Sequence, residues 1–244
     1  MGVMAKTRKT RKSKDAPAPK RRLHLRVRRW VFRTCLGVIA AVVLLTLLYK
    51  VVNPPTTPYM FAEGRRLGGV AQVWAPIGDI APVMVRSVVA AEDANFCLHW
   101  GLDVAAIRAA LAAGSDRGAS TISQQVVKNV YLWQGRNWTR KALEAVWTPL
   151  TEALWSKRRI LELYLNVAEF GTGVFGVQAA AQHYFGVDAA DLSAVQAARL
   201  AMILPDPKGR DAANPTSAQR RRSASILDGA ATIRADGRAA CFQS

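Results

Sequence analysis

The sequence predicts a mainly α-helical protein with one membrane-spanning helix near its N-terminus. An apolar run covers residues 34–52. After residue 58, apolar side chains recur at the three- and four-residue spacing of amphipathic helices, separated by capping residues, Gly and Pro. The alternation typical of strands is weak and confined to residues 69–74, where it predicts one short strand. The chain has 244 residues, 50% of them hydrophobic, which is enough for a buried core.

The first 33 residues form a basic tail. They contain 13 Lys or Arg residues and one acidic residue, Asp15, so the tail carries +12 of the net charge of +17, and the other 211 residues carry +5. We predict that this tail is disordered, because it lacks apolar periodicity. Attraction to anionic lipid explains a basic cluster beside a membrane span, so we expect no nucleic-acid partner.

Residues 34–52 are predicted to be the transmembrane helix, because about 20 apolar residues are needed to cross a bilayer. Trp30, Phe32 and Tyr49 lie where interfacial aromatic residues anchor such helices, and Lys50 can extend to the headgroups. The stretch that follows lacks a small-x-small cleavage site, which argues against a cleaved signal peptide. Under the positive-inside rule, the tail is cytoplasmic and the rest lies across the membrane.

Residues 53–68, which open with NPPTTP, are predicted to form a linker, and residues 69–244 the extracytoplasmic domain. Capping signals and apolar spacing predict its helices in order. The first helix is opened by Asp79 and Pro82, and the second is capped by Asp103 and closed by Gly114. The third has a capping box of Thr121 and Gln124, and a long helix led by Thr139 and kinked at Pro149 follows it. The segments 160–166, 179–185 and 192–204 come next, and the last helix has a capping box of Thr216 and Gln219.

Two polar stretches carry the chemistry. Residues 92–101 read EDANFCLHWG and place adjacent carboxylates, an aromatic ring and a histidine before a glycine. Residues 118–129 read GASTISQQVVKN, a run of hydroxyl and amide groups in which Gln124 and Lys128 share one helix face. Together they predict a sugar-transfer site. We expect His99 to hold the backbone in place rather than to transfer protons.

These stretches resemble the first two motifs of the peptidoglycan glycosyltransferases, glycosyltransferase family 51, written EDxxFxxHxG and GGSTITQQxxKN. Three further matches follow in the family's order, and they are RKxxE at residues 140–144, KxxILExYLN at residues 157–166 and a G-x-GV stretch at residues 173–177. The resemblance spans about residues 70–210. The departures at Ala119, Ser123 and Phe175 remove no ionisable group.

The resemblance implies a lysozyme-like domain with a large lobe and a smaller lobe that faces the membrane. It also implies an enzyme of the bacterial inner membrane, with a periplasmic domain that polymerises lipid II into the glycan strands of peptidoglycan. The growing chain would pass with inversion to the GlcNAc 4-hydroxyl of lipid II and release undecaprenyl pyrophosphate. No cofactor is required, and a divalent metal is compatible with the pattern. The implied partners are lipid II, the nascent strand, membrane lipid and other wall-synthesis proteins.

Site residues follow from the same resemblance. Glu92 matches the catalytic base and Glu144 the second catalytic glutamate, near the leaving group. The substrate-binding candidates are Asp93, Ser120, Gln124, Gln125, Lys128, Arg136, Arg140 and Lys141. The four cations among them would stabilise the departing pyrophosphate.

Some of these residues have a simpler interpretation. Arg140 and Glu144 stand four residues apart, a spacing that also produces surface salt bridges. Ser120 is either a substrate contact or a helix cap. Trp133 and Trp138 either enter the membrane interface or anchor the core.

Cysteine positions leave a choice open. Cys97 and Cys241 would both lie outside the cytoplasm, where they form either a disulfide or two free thiols. No spacing of Cys and His matches a zinc site.

Two other functions fit parts of the pattern. A lysozyme-like hydrolase shares the acid and the helical fold but does not need a cluster of phosphate-binding cations. A non-catalytic scaffold for wall synthesis would not need every ionisable motif residue. The sequence up to Ser244 also shows none of the SxxK, SxN and KTG elements of a transpeptidase domain, so we expect a monofunctional enzyme.

Overall fold

The computed structural model describes residues 2, 4, 20–112, 120–135 and 137–243. The chain divides into two compact units, Met1–Leu44 and Leu45–Ser244. Helix α1 covers Lys20–Tyr49. Its residues up to Leu44 belong to the first unit, and its last five residues belong to the second. Its stretch Arg26–Tyr49 is 24 residues long and is apolar enough to cross a bilayer.

The bounds of α1 differ from the predicted span of residues 34–52. The helix begins inside the predicted tail, because that part of the sequence contains no Gly or Pro after Pro19 to end it. Most of the predicted disordered tail lies outside the described residues.

A second helix, α2, occupies Pro58–Leu67, inside the predicted linker. Thr57 caps it by accepting a hydrogen bond from the backbone N–H of Met60 at 3.2 Å. Gly68 ends it in the left-handed conformation, with φ of 80°. A threonine cap, a proline at the first position and a terminal glycine are ordinary helix signals, so this helix was open to prediction.

The remaining helices confirm the predicted mainly α fold. They are α3 Pro82–Glu92, α4 Val104–Ala112, α5 Ile122–Tyr131, α6 Trp138–Leu154, α7 Lys157–Val167, α8 Val177–Phe185, α9 Ala194–Ile203, α10 Ser217–Ala235 and α11 Ala240–Gln243. The capping boxes predicted at Thr121 and Thr216 are both present. The predicted start of α6 at Thr139 is wrong, because Asn137 is its N-cap and accepts from the Thr139 N–H at 2.8 Å. Pro149 lies inside this helix, as predicted.

A small sheet has the strand order β1-β3-β2, with β1 at Ala71–Gln72, β2 at Glu169–Gly171 and β3 at Val174–Phe175. Strand β1 confirms the short strand predicted there and pairs in parallel with β3, which pairs antiparallel with β2. The last two strands were not predicted. Every residue of both is buried, so they lack the alternation that reveals a half-exposed strand.

Helix packing fixes the positions of the two polar stretches. Helices α3, α9 and α10 pack together, and α5 packs against α6 and α7. The side-chain amide of Asn166 on α7 makes two 2.8 Å hydrogen bonds to the backbone of Ala75, which ties the segment before α3 to the same core. As a result, the C-terminal end of α3 lies beside the N-terminal end of α5.

Candidate functional site

Glu92 is the last residue of α3, and its carboxylate is half-buried. The side-chain amide of Gln125 donates a hydrogen bond to Glu92 Oε2 at 2.8 Å. Burial raises the pKa of Glu92 above its ordinary value, and the Gln125 hydrogen bond and the charges of Lys128, Arg222 and Arg210 oppose that shift only in part. A carboxylate with a raised pKa is a better proton acceptor than a solvated one.

Asp93 joins the first motif to α5. Its buried carboxylate accepts the backbone N–H of Ile122 at 3.0 Å and lies 2.8 Å from His99 Nε2. A carboxylate is favoured there, because the free N–H groups at a helix N-terminus point towards it. The Thr121 hydroxyl adds a second link by donating to the carbonyl of Gly101 at 2.5 Å. Asp93 therefore orients the loop that follows Glu92, and the structural role of His99 stays a prediction.

Helix α5 presents its amide side chains in two different ways. Gln124 closes the capping box, since its Oε1 accepts the Thr121 N–H at 3.1 Å. Gln125 instead accepts from the Tyr164 hydroxyl at 3.2 Å while it donates to Glu92. Both ends of the Gln125 amide are thereby fixed.

A cavity of about 540 Å³ lies beside these amides. Its lining brings together most of the predicted substrate-binding residues, namely Ser120, Gln124, Gln125, Lys128, Arg140 and Lys141. The predicted catalytic Glu144 also lines it, together with Asn137 and Trp138. Burial lowers the pKa of Lys128, and the nearby charge of Arg140 adds to that effect. Among the described residues, no hydrogen-bond acceptor or carboxylate pairs with the Lys128 ammonium.

Glu144 holds two of the cations. Its Oε1 pairs with the guanidinium of Arg140, and its Oε2 lies 3.0 Å from the ammonium of Lys141. Glu144 is only 3% exposed, so the interpretation of this pair as a surface salt bridge is wrong. Lys141 also donates to the Ser120 hydroxyl at 3.1 Å. Ser120 is not a helix cap, because Thr121 takes that position.

Two smaller cavities lie beside the large one and share lining residues with it. One of about 260 Å³ is lined by Glu92 and Asp93 and shares Ser120 with the large cavity. Another of about 320 Å³ shares Gln125 and Lys128 with it. The cavity beside Glu92 and the cavity lined by the cations are therefore adjacent, with Ser120 in the wall of both, and we call them together the cleft. Arg136, the remaining predicted cation, lies outside the described residues.

The third cavity contains residues that the sequence did not identify. Its wall includes Tyr59 and Glu169, whose side chains hydrogen-bond to each other, and Lys208, whose ammonium lies 3.6 Å from Glu169 Oε2. Tyr164, also in this wall, entered the sequence analysis only as part of the KxxILExYLN match. No short motif flags these residues, because they meet through the fold from α2, β2 and the segment after α9.

Trp138 lines the large cavity and is 90% exposed, and Trp133 is 46% exposed. The interpretation of these two residues as core anchors is therefore wrong. Cys97 and Cys241 form a disulfide, which decides between the two states left open. In the described ranges, no cluster of three or more His, Cys, Asp or Glu side chains has the arrangement of a metal site.

Comparison with known proteins places this cleft in context. The family model described as Transglycosylase matches residues 63–231. A biosynthetic peptidoglycan transglycosylase of Jannaschia sp. (strain CCS1) is 57% identical over 96% of this chain and 98% of its own length. The proteins of the same name from Xanthomonas oryzae pv. oryzae and Rhodospirillum centenum are 49% and 46% identical, over 86% and 84% of this chain and 89% and 91% of their own lengths.

Proposed function

The chain belongs to the transglycosylase family and polymerises lipid II into the glycan strands of peptidoglycan, and on this premise we propose how its cleft carries out the transfer. Its mainly α architecture is the lysozyme-like fold of that family. Its substrates are lipid II and the growing strand. The proposal concerns the groups that move the proton and receive the leaving group.

Glu92 acts as the general base. Its carboxylate takes the proton of the GlcNAc 4-hydroxyl of lipid II while that oxygen bonds to the anomeric carbon of the growing chain. The bond from this carbon to the pyrophosphate oxygen breaks on the opposite face, so the configuration inverts and undecaprenyl pyrophosphate leaves. The observation that supports this most strongly is the half-buried carboxylate of Glu92, whose raised pKa favours proton uptake, in a cavity next to the one that Lys128 and Arg140 line.

The cations of α5 and α6 receive the departing diphosphate. Lys128 has no carboxylate partner among the described residues, so its charge is available to the new anion. Glu144 orients Arg140 and Lys141 through its two oxygens. Fixed positive charge in a partly buried cleft stabilises negative charge as it develops, without reorganisation of solvent. Arg136 has the sequence position to join this group.

Amide and hydroxyl groups complete the substrate contacts. Ser120, Gln124 and Gln125 line the cavity between the base and the cations, where they offer hydrogen bonds to sugar and phosphate oxygens. Asp93 acts indirectly, by orienting the loop after Glu92. No cofactor is needed for these steps.

Membrane attachment keeps the site at its lipid-linked substrate. Helix α1 fits an anchor, and the basic residues before the apolar stretch favour an N-terminus in the cytoplasm and a catalytic domain in the periplasm, at the inner membrane. The exposed rings of Trp133 and Trp138 would contact membrane lipid near the cleft. Other wall-synthesis proteins are further partners in this proposal.

The test is polymerisation of labelled lipid II by the full chain in detergent, with and without a chelator of divalent ions. Wild type should form long strands and should not cleave preformed sacculi. Glu92→Gln should reduce the rate by about 100- to 10,000-fold, the usual contribution of a general base. Asp228→Asn removes an exposed carboxylate of α10 and is the matched control, with wild-type activity expected. A Glu92→Gln variant as active as this control would refute the role of Glu92.

A further inference from the structure

Residues 236–243 follow α10 and lie beyond residues 63–231, the part matched by the family model. We propose that this C-terminal segment positions the motif loop, defined as residues 93–101, and thereby the carboxylate of Glu92. This inference rests on the proposed function of Glu92. It assigns Arg238 and the Cys97–Cys241 disulfide as positioning elements that do not themselves touch substrate.

Two bonds tie the segment to the motif loop. The disulfide links Cys241 on α11 to Cys97, with the two Cα atoms 5.8 Å apart. Arg238 donates from Nη1 to the carbonyl of Ala94 at 3.1 Å. Asp236 orients this guanidinium, because its Oδ2 accepts from Arg238 Nε at 2.7 Å. The loop is therefore held at two points, both within a few residues of Glu92.

Packing adds a third attachment. Phe242 is 1% exposed, and its ring centroid lies 6.4 Å from that of Phe96, which is fully buried in the motif loop. The carbonyl of Phe242 accepts from Arg158 Nη1 at 3.1 Å, and the ammonium of Lys157 lies 4.4 Å from the centre of the Phe96 ring. Both cations are on α7, so this helix contacts the C-terminal segment through Arg158 and the motif loop through Lys157.

The position of these contacts explains why they bear on catalysis. The carbonyl groups at the end of a helix lack intrahelical donors, and arginine side chains can satisfy them. Arg222 donates to the carbonyl of Ala91 at 3.3 Å, and Arg238 to that of Ala94. These two carbonyls flank Glu92 and Asp93. Without Arg238 and the disulfide, the loop loses its bonds to the C-terminal segment and keeps those to Thr121 and Ile122 at the start of α5. Displacement of a catalytic group by about 1 Å can cost 100-fold in rate.

The experiment compares full-length variants in detergent with lipid II as substrate. The Cys97→Ser and Cys241→Ser double variant and Arg238→Ala should each lose about 10- to 100-fold in kcat, while KM stays within about twofold. Arg238→Lys keeps a donor and should recover part of the loss. Gln243→Ala, at an exposed position of the same segment, is the control and should match wild type. Circular dichroism at the assay temperature confirms that each variant is folded.

Reduction of the wild type gives an independent arm. A phosphine supplies two electrons and becomes a phosphine oxide with oxygen from water, and each sulfur ends as a thiol. Reduced wild type should reproduce the kcat of the double variant, and the double variant should not respond to the phosphine. Folded variants with wild-type kcat, or a loss confined to KM, would overturn the inference. If the wild type itself fails to polymerise lipid II, the proposed function fails instead.

Discussion

Replacement of Lys128 by methionine removes the ammonium at the centre of the cleft and keeps a side chain of similar length. We expect kcat for lipid II polymerisation to fall by about 100- to 1,000-fold, which corresponds to about 2.7–4 kcal/mol of activation free energy. The structure supports a loss of this size because Lys128 is half-buried in the wall of the cleft. Its interaction with diphosphate is therefore weakly screened.

The same burial predicts the effect on stability. The folded state lowers the pKa of Lys128 below its ordinary value of 10.5. Between the lowered pKa and 10.5 the unfolded chain binds more protons, so the free energy of unfolding rises with pH across that window. Below it, at neutral pH, the charged amine is destabilising. Lys128→Met should therefore melt at the same temperature as wild type or higher, which separates lost chemistry from misfolding.

The pH–rate profile supplies the third readout. In the free enzyme the lowered pKa of Lys128 sets the alkaline limb of kcat/KM below 10.5. Bound diphosphate favours the charged amine, so the alkaline limb of kcat should lie at higher pH than that of kcat/KM. Arg221→Met, which removes an exposed cation of α10, is the control and should match wild type in all three measurements. A Lys128→Met variant with activity within about threefold of this control would refute the reasoning.

Two further predictions concern the frame of the site. Glu152 is buried and pairs at 2.8 Å with Lys157, whose side chain is 13% exposed. Glu152→Leu removes this carboxylate and leaves the ammonium with its hydrogen bond to the His99 carbonyl, so it should lower the free energy of unfolding by about 3–5 kcal/mol in chemical denaturation. An unchanged denaturation midpoint would contradict this. Gly176 has φ of 80°, and a Cβ there would lie 2.9 Å from the carbonyl of Asn166, so Gly176→Ala should lower the melting temperature by an amount equivalent to about 1–3 kcal/mol. Gly64 lies inside α2, and the nearest atom to a Cβ added there is on Val70 at 3.9 Å, so Gly64→Ala should instead be neutral or stabilising. Equal losses in the two variants would count against the strain at Gly176.

Local signals in the sequence predicted much of the fold. Capping boxes at Thr121 and Thr216 and the cap at Asp103 depend on residues three positions apart, so they are readable without tertiary structure. Strands β2 and β3 were missed because they are buried on both faces and only two or three residues long.

The site was predicted in composition more than in geometry. The motifs identified Glu92, Lys128 and Glu144, but spacing along the chain does not reveal burial. Arg140 and Glu144 have the spacing of a surface salt bridge, and only the packing of α6 against α5 places that pair in the cleft wall. The disulfide was likewise undecided, because its two cysteines are 144 residues apart.

Gln125 explains how a half-buried acid and a half-buried cation keep opposite roles in one cleft. If Glu92 and Lys128 formed a direct ion pair, each would stabilise the charge of the other, and the carboxylate would become a weaker base. The amide of Gln125 takes the position beside Glu92 instead. Burial raises the pKa of Tyr164, so its hydroxyl stays protonated and donates to Gln125 Oε1, which turns the Gln125 N–H group towards Glu92. Tyr164 thus fixes the amide that keeps the proton acceptor apart from the cation for the leaving group.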